Sequence, residues 1–321
     1  MAVKDGSSLN EDVVVFDCTI RDGGLVNNYH FSDEFIKGVY ETCVKAGVDY
    51  MEIGKNNSPT LMSTDEFGKW NFSKEEDIRK IVGNNDTNLK IAVMSDIGRT
   101  VKEELLPKKD SVVDMIRIAT YVHQLPEAIE LIQEAHEKGY ETTVNVMAVA
   151  KSTDEEIDRV LEELSKTNVD VIYLADTFGS YYPEDIARLS KKYCDVANKS
   201  GKRVGIHAHN NIQLGFANTI EAKKNGVEFL DCTISGLGRG AGNCAMELLL
   251  TYLNNPKYKQ LPVLEFIQEH IVALEKELDW GYSIPYMITG QLIEHPRSAI
   301  KAREENNTQY VEFYKSLASK E

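Results

Sequence analysis

Short apolar runs rich in β-branched residues recur along this chain, spaced by longer amphipathic stretches. The first, residues 13–17, reads Val-Val-Val-Phe-Asp. A run too short for a helix and apolar on both faces predicts a buried strand of a parallel sheet. Runs of the same kind lie at residues 48–54, 89–95, 112–119, 140–148, 169–175, 203–209 and 227–232. Helical patterns fall between them. Ser32-Asp33 caps one that runs to about Ala46, and the clearest others cover residues 125–138, 154–166, 183–198 and 213–225. Lys45-Ala46-Gly47, Lys138-Gly139 and Asn225-Gly226 are helix stops. Eight strand-then-helix units, the last helix starting near Asn243, predict an α/β fold closed into a (β/α)8 TIM barrel, with a doubly wound open sheet as the alternative. After Pro256 the pattern changes, and residues 262–278, 286–304 and 307–319 read as helices with no strands between them. The expected division is a barrel over residues 1–260 and a C-terminal helical appendage over residues 261–321. No low-complexity linker separates them, so the appendage is expected to pack on the barrel.

In such a barrel the ligand-binding face forms where strands end and loops begin. The run His207-Ala208-His209-Asn210-Asn211 follows Arg203-Val204-Gly205-Ile206. Residues i and i+2 of a strand share a side, so both imidazoles can face one point, as two ligands of one metal must. The first strand leads into Arg21-Asp22, and around a closed ring of eight it is separated from the seventh by one neighbour. Asp22, His207 and His209 can therefore meet. Two imidazoles and a carboxylate leave positions open for substrate or water. With nitrogen and oxygen ligands and no thiolate, Mn²⁺ and Mg²⁺ are the first candidates, and Zn²⁺ and Co²⁺ are also compatible. Asn243 could add an amide oxygen.

Arg21, a permanently charged planar donor beside that set, suits a carboxylate, an enolate or an oxyanion. Its other reading is a salt bridge to Asp22 or Asp176. The loop Gly236-Leu237-Gly238-Arg239-Gly240-Ala241-Gly242-Asn243 fits neither the dinucleotide fingerprint nor a phosphate loop. It reads as a turn that brings backbone close to a substrate and delivers Asn243. Asp176-Thr177-Phe178-Gly179 is either a cap turn before Pro183 or a support for Arg21 or a ligand histidine. Asp176, Gly238 and Glu52, at strand ends or in this loop, are the candidate substrate-binding positions.

Composition narrows the picture. The 321 residues carry a net charge of −15, which argues against nucleic acid as a partner. Apolar residues make up 42% and charged residues 27%, enough for a large core. The first twelve residues are polar, and no apolar run approaches the roughly 20 residues that span a bilayer. A cytoplasmic protein without a membrane segment is expected. The five cysteines are scattered and include no Cys-x-x-Cys, which predicts buried, reduced thiols rather than disulfides or a zinc–thiolate site.

Three motifs taken together carry a resemblance: Phe16-Asp17-Cys18-Thr19-Ile20-Arg21-Asp22-Gly23-Gly24, the His207 to Asn211 run and the Gly236 to Asn243 loop. They resemble the DRE-TIM metallolyases, which include hydroxymethylglutaryl-CoA lyase, isopropylmalate and homocitrate synthases, pyruvate-linked carboxylase domains and 4-hydroxy-2-oxovalerate aldolase. His209-Asn210-Asn211-Ile212-Gln213-Leu214-Gly215, Asp176-Thr177-Phe178-Gly179-Ser180, and Gly281-Tyr282 with Tyr286 are most similar to the aldolase branch.

The resemblance implies a divalent metal on Asp22, His207 and His209 that holds a pyruvate-type 2-oxo acid by its keto and carboxylate oxygens. It also implies Arg21 on the enolate, Tyr286 near the substrate, a homo-oligomer, and an aldehyde dehydrogenase partner. Two positions depart from the pattern. Leu25 stands where the aldolases carry the histidine base, and Gly240 stands where acyl-CoA lyases carry a cysteine. The implied activity is metal-dependent aldolase or lyase chemistry next to a 2-oxo group, with water, His30 or Tyr286 in place of the missing base. The alternatives are a condensing, carboxyl-transfer or acyl-CoA lyase enzyme, and a non-catalytic metal-binding barrel. The carboxyl-transfer version lacks a lysine at the ends of the fifth and sixth strands. The synthases' regulatory domain is also not expected at this length.

Overall fold

A computed structural model describes residues 13–319 of the protein; residues 1–12, read above as polar, and 320–321 lie outside the described residues. Eight strands form one closed, parallel barrel: β1 Val14–Asp17, β2 Tyr50–Lys55, β3 Lys90–Asp96, β4 Met115–Tyr121, β5 Glu141–Met147, β6 Val171–Asp176, β7 Arg203–Ala208 and β8 Phe229–Cys232. Each pairs with the next in sequence, and β1 closes the ring against β8. Every residue of β2 and β6 is buried, as strands covered on both faces require.

The surrounding helices are α1 Thr19–Asn27, α2 Asp33–Ala46, α3 Glu75–Val82, α4 Leu125–Glu137, α5 Asp154–Ser165, α6 Pro183–Lys199, α7 Gly215–Lys224 and α8 Met246–Leu253. Ser32 caps α2 by accepting from the Phe35 amide at 3.1 Å, and Gly47 ends it at φ 75°. The pattern differs from expectation in three places. Residues after β3 form two single 3₁₀ turns, Lys102–Glu104 and Lys108–Asp110, around Pro107, rather than a helix. The last barrel helix starts at Met246, because the glycine-rich loop and a hydrogen bond from the Met246 amide to the Thr233 carbonyl come first. The extra helix α1 begins directly after β1, despite its Gly23-Gly24 pair. Those glycines fit because neighbours press on them: a Cβ at Gly24 would lie 2.2 Å from the Tyr29 ring.

The tail helices are also broken more often than their periodicity predicts. Residues 261–274 run as Leu261–Phe266, a π-helical turn Ile267–Ile271, and Val272–Leu274. The long helix expected over 286–304 is two, Ile284–Gln291 and Arg297–Glu304, split at Ile293 (φ 52°) and Pro296. The last is Tyr310–Ala318. No helix among the described residues is long and apolar enough to cross a membrane. All five cysteines are buried and unpaired.

Two features of the barrel position the site. Its interior is filled by an apolar layer of Phe16, Tyr50, Ala92, Met115, Val171, Tyr173 and Phe229, with Phe16 stacked on Tyr50 at 5.0 Å. In β2 the register shifts between Glu52 and Lys55, so two residues three apart both serve the barrel mouth.

Asp17, at the end of β1, is fully buried and accepts from the Thr19 hydroxyl and amide. Burial pushes its carboxyl up to about 7, against the hydrogen bonds from Thr19. The folded form thus holds a proton that the unfolded chain, at the ordinary 3.8, releases. The resulting stability is complete below about 4 and is lost as pH rises through about 7. Asp17→Asn should therefore flatten the decline in stability over that window. Urea midpoints at pH 5 and pH 8, with chelator present, measure this, and an undiminished decline would remove Asp17 from the account.

Candidate metal centre at the barrel mouth

The floor of the mouth is a buried chain of charges. Because α1 starts as soon as β1 ends, Arg21 and Asp22 lie over the open end of the barrel. Arg21 donates from Nε to Glu52 Oε2 at 2.6 Å and from Nη1 to Asp22 Oδ1 at 2.5 Å. Glu52 also pairs at 3.4 Å with Arg117 Nη1, and Arg117 Nη2 donates to Asp231 Oδ2 at 2.7 Å. Arg117 is fully buried, with its guanidinium 4.2 Å from the Phe16 ring centroid and 4.4 Å from that of Tyr173. Burial alone would raise the Asp231 carboxyl; Arg117 and His207 hold it down at about 2.

Each histidine has one ring nitrogen held by a neighbour, and its other nitrogen faces Asp22. His209 Nδ1 lies 2.9 Å from the Asp176 carbonyl, which can only accept, so Nδ1 carries the proton and Nε2 presents its lone pair. Burial lowers the His209 pKa to about 3, which keeps the ring neutral at physiological pH. His207 Nδ1 lies 2.9 Å from Asp231 Oδ2, a carboxylate–histidine pair of the kind that orients metal ligands. Both Nε2 atoms are buried without a hydrogen-bond partner among the described residues. They point toward Asp22, His207 Nε2 at 3.9 Å from Oδ1 and His209 Nε2 at 3.8 Å from Oδ2. Burial would raise the Asp22 carboxyl, but Arg21, His209, His207 and Arg239 together hold it well below the usual carboxylate range.

One ligand atom from each of Asp22, His207 and His209 lies within 4.8 Å of the others. Two orphaned imidazole lone pairs facing an ionised carboxylate fit a divalent cation. Asn243 donates from Nδ2 to Asp22 Oδ2 at 2.7 Å, and its buried Oδ1 has no partner among the described residues. A second cluster, Cys18 with His207 and Asp231, is geometrically similar. There Arg117 already supplies the cation, donating to both Cys18 Sγ and Asp231.

Above this floor opens a cavity of about 550 Å³. Arg21, Asp22, His207 and His209 line it. Asn243 reaches it through Asp22. Four other sequence candidates sit elsewhere. Glu52 is buried beneath the cavity and grips Arg21. Gly238 lies against the ligand set, where a Cβ would stand 2.2 Å from Asn243 Nδ2 and 2.5 Å from Asp22 Oδ2, so only glycine lets the loop approach. Asp176 turns its carboxylate back to the Ser180 and Tyr181 amides and serves the site through its carbonyl; burial pushes that carboxyl up to about 7. Tyr286 packs with Ala241 and Ala299 beneath the glycine-rich loop, 5.3 Å from Arg303. The structure does not bring its side chain to the cavity wall.

Sequence reasoning missed several lining residues. Lys55, which the β2 register shift concealed, forms a buried pair at 2.6 Å on the wall with Asp96 at the end of β3. Arg239 lines the cavity from the glycine-rich loop, and His295, Arg297 and Ile300 line it from the tail. The signal for Asp231 was a lone carboxylate inside an otherwise apolar strand. Leu25 lies in the lining itself, whereas His30 is exposed and bonded to the Glu66 carbonyl at 3.1 Å.

Comparison with known proteins places the chain among related sequences and folds. The HMGL-like family model matches residues 12–269. An oxaloacetate decarboxylase from Mycobacterium tuberculosis is 27% identical over 250 residues, covering 77% of this chain and 71% of that protein. A 4-hydroxy-2-oxovalerate aldolase from Chloroflexus aurantiacus is 29% identical over 261 residues, covering 80% and 74%. Among solved structures, the N-terminal domain of a Bacteroides vulgatus protein superposes with a TM-score of 0.76 at 29% identity, over 90% of this chain and 96% of that one.

Proposed function

The chain belongs to the HMGL-like family, and from that membership we propose that it is a divalent-metal-dependent carbon–carbon lyase acting next to the carbonyl of a pyruvate-type 2-oxo acid. The observation that carries this reading is the convergence of the His207 and His209 lone pairs on Asp22, beside Arg21, on one cavity floor. A bound divalent ion would supply Lewis-acid polarisation of the 2-oxo group, held by Asp22, His207 and His209. Hydrogen bonds at Nε and Nη1 leave Nη2 as the arm of Arg21 open to a ligand. Its charge favours the enolate oxygen as the carbon–carbon bond breaks. Glu52 and Asp22 fix the guanidinium plane, so little reorganisation accompanies the reaction. Aldol chemistry in the manner of 4-hydroxy-2-oxovalerate aldolase is the first version. It carries with it a homo-oligomer and an aldehyde dehydrogenase partner.

Leu25 favours a second version. Aldol cleavage needs a group to take the proton from the 4-hydroxyl, and the leucine on the cavity wall cannot do so. His30 and Tyr286 are not placed to replace it. Decarboxylation of a 2-oxo acid that carries a second carboxylate β to the keto group reaches the same enolate: the electrons of the broken carbon–carbon bond pass to the 2-oxo oxygen as carbon dioxide leaves, with no hydroxyl proton to remove. That is the activity named for the Mycobacterium tuberculosis relative.

The test that needs no knowledge of the leaving group is exchange of pyruvate methyl protons into heavy water. Mn²⁺-dependent exchange, abolished by chelator, is expected. Metal-loaded protein without exchange of pyruvate or 2-oxobutyrate would overturn the enolate reading and favour a non-catalytic barrel. Offered a 4-hydroxy-2-oxo acid and oxaloacetate, the same preparation then separates the versions by release of aldehyde or of carbon dioxide.

A further inference from the structure

The cavity is cationic although the chain is strongly acidic. Arg21, Lys55, Arg99, Arg239 and Arg297 line it, against the carboxylates of Asp22 and Asp96. Three of the cations are matched: Arg21 pairs with Asp22 and Glu52, Lys55 with Asp96 at 2.6 Å, and Arg99 with Asp96 at 3.4 Å. Arg239 and Arg297 have no carboxylate partner among the described residues. The two groups that hold Arg239 are neutral: Nη1 lies 3.2 Å from His295 Nε2, and Nη2 donates to the Thr177 carbonyl at 3.0 Å. Its Nε is buried and unpartnered. A guanidinium has five N–H donors, so most of this one's capacity is unspent. A half-buried permanent charge with no carboxylate in contact, and only Asp22 near enough to feel it, is costly, and a ligand anion is the natural compensation.

The position is also constructed. The Arg239 amide lies 3.3 Å from Asp22 Oδ2, so this guanidinium hangs from the same turn that braces the metal ligand. The break at Pro296 turns His295 and Arg297 into the mouth from the tail.

We propose that Arg239, assisted by Arg297, is an anion subsite that takes a second anionic group, a carboxylate or a phosphate, carried by the 2-oxo acid or by the fragment cleaved from it. This rests on the 2-oxo acid reading above. It makes the substrate a dianion: one carboxylate at the metal and Arg21, the other at Arg239. Planar bidentate recognition is what arginine does best, and a charge-assisted bidentate pair is worth roughly tenfold or more in affinity.

Titration calorimetry of the full, Mn²⁺-loaded chain tests it with three unreactive probes: pyruvate, 2-oxoglutarate for a second carboxylate, and 3-phosphonopyruvate for a phosphate-like group. At least one dianion should bind about tenfold or more tighter than pyruvate, and which one does identifies the source of the anion. In Arg239→Gln the ratio of dianion to pyruvate affinity should fall to near one. In Arg297→Gln, an exposed position that leaves folding intact, it should fall part of the way. Pyruvate binding with no preference for either dianion would overturn the subsite alone, as would a preference that survives both substitutions. Failure of pyruvate to bind to metal-loaded protein would overturn the 2-oxo acid reading and the subsite with it.

Discussion

Arg21→Ala should lower turnover of the 2-oxo acid by about 10²–10³-fold, the usual loss when one preorganised donor to a developing oxyanion is removed. The candidate ligand atoms belong to Asp22, His207 and His209, so metal content should persist. Arg21→Lys separates charge from geometry. A lysine keeps the charge but cannot hold Glu52 and Asp22 with two arms of a planar fork while presenting a third. It should therefore recover only a small part of the lost rate. Steady-state kinetics beside metal analysis of the same samples decides the matter. Wild-type turnover in the alanine variant would remove Arg21 from the reaction, and loss of metal would make it a scaffold for Asp22.

The second large effect concerns Asp22. It is the one charged member of the ligand set, and it faces both orphaned Nε2 atoms. Asp22→Ala should abolish measurable Mn²⁺ binding and with it the thermal stabilisation the ion confers. In the wild type that stabilisation is about 2.7 kcal/mol when the free ion is at 100 times its dissociation constant. Asp231→Asn acts one step away: the His207 tautomer loses its carboxylate partner, and metal affinity should weaken by about 10–100-fold without vanishing. Melting curves with and without Mn²⁺ read both. A full metal-induced shift in Asp22→Ala would place the ion elsewhere.

The barrel was legible because its strands are buried on both faces, which leaves unbroken apolar runs in the sequence. The clustering of the candidate triad was legible because it depends on local rules: the i and i+2 positions of β7, and the adjacency that closure imposes on β1. His209 lies one residue beyond β7 and is held by a bridge to Asn243, yet the geometry survives. What could not be read depends on contacts distant in sequence. Arg117 and Asp231 are 114 positions apart, and Arg239 meets His295 only because the tail folds back over the mouth. Helix α1 was hidden because intrinsic propensity counts glycines against it, while packing of Gly23 against Leu237 and of Gly24 against Tyr29 requires them. The resemblance implies Tyr286 near the substrate; in this chain it packs with Ala241 and Ala299 against the glycine-rich loop.

The buried chain of charges beneath the mouth also couples the two ligands of the proposed reaction. Two arginines, Arg21 and Arg117, stand among three carboxylates, Asp22, Glu52 and Asp231, while the wall above carries the cations of Lys55, Arg99, Arg239 and Arg297. A divalent ion held by Asp22, His207 and His209 would add positive charge beneath an acid that the wall already attracts, so each should bind more tightly in the other's presence. The floor would hold the ion, the wall would hold the acid, and each would slow the other's departure.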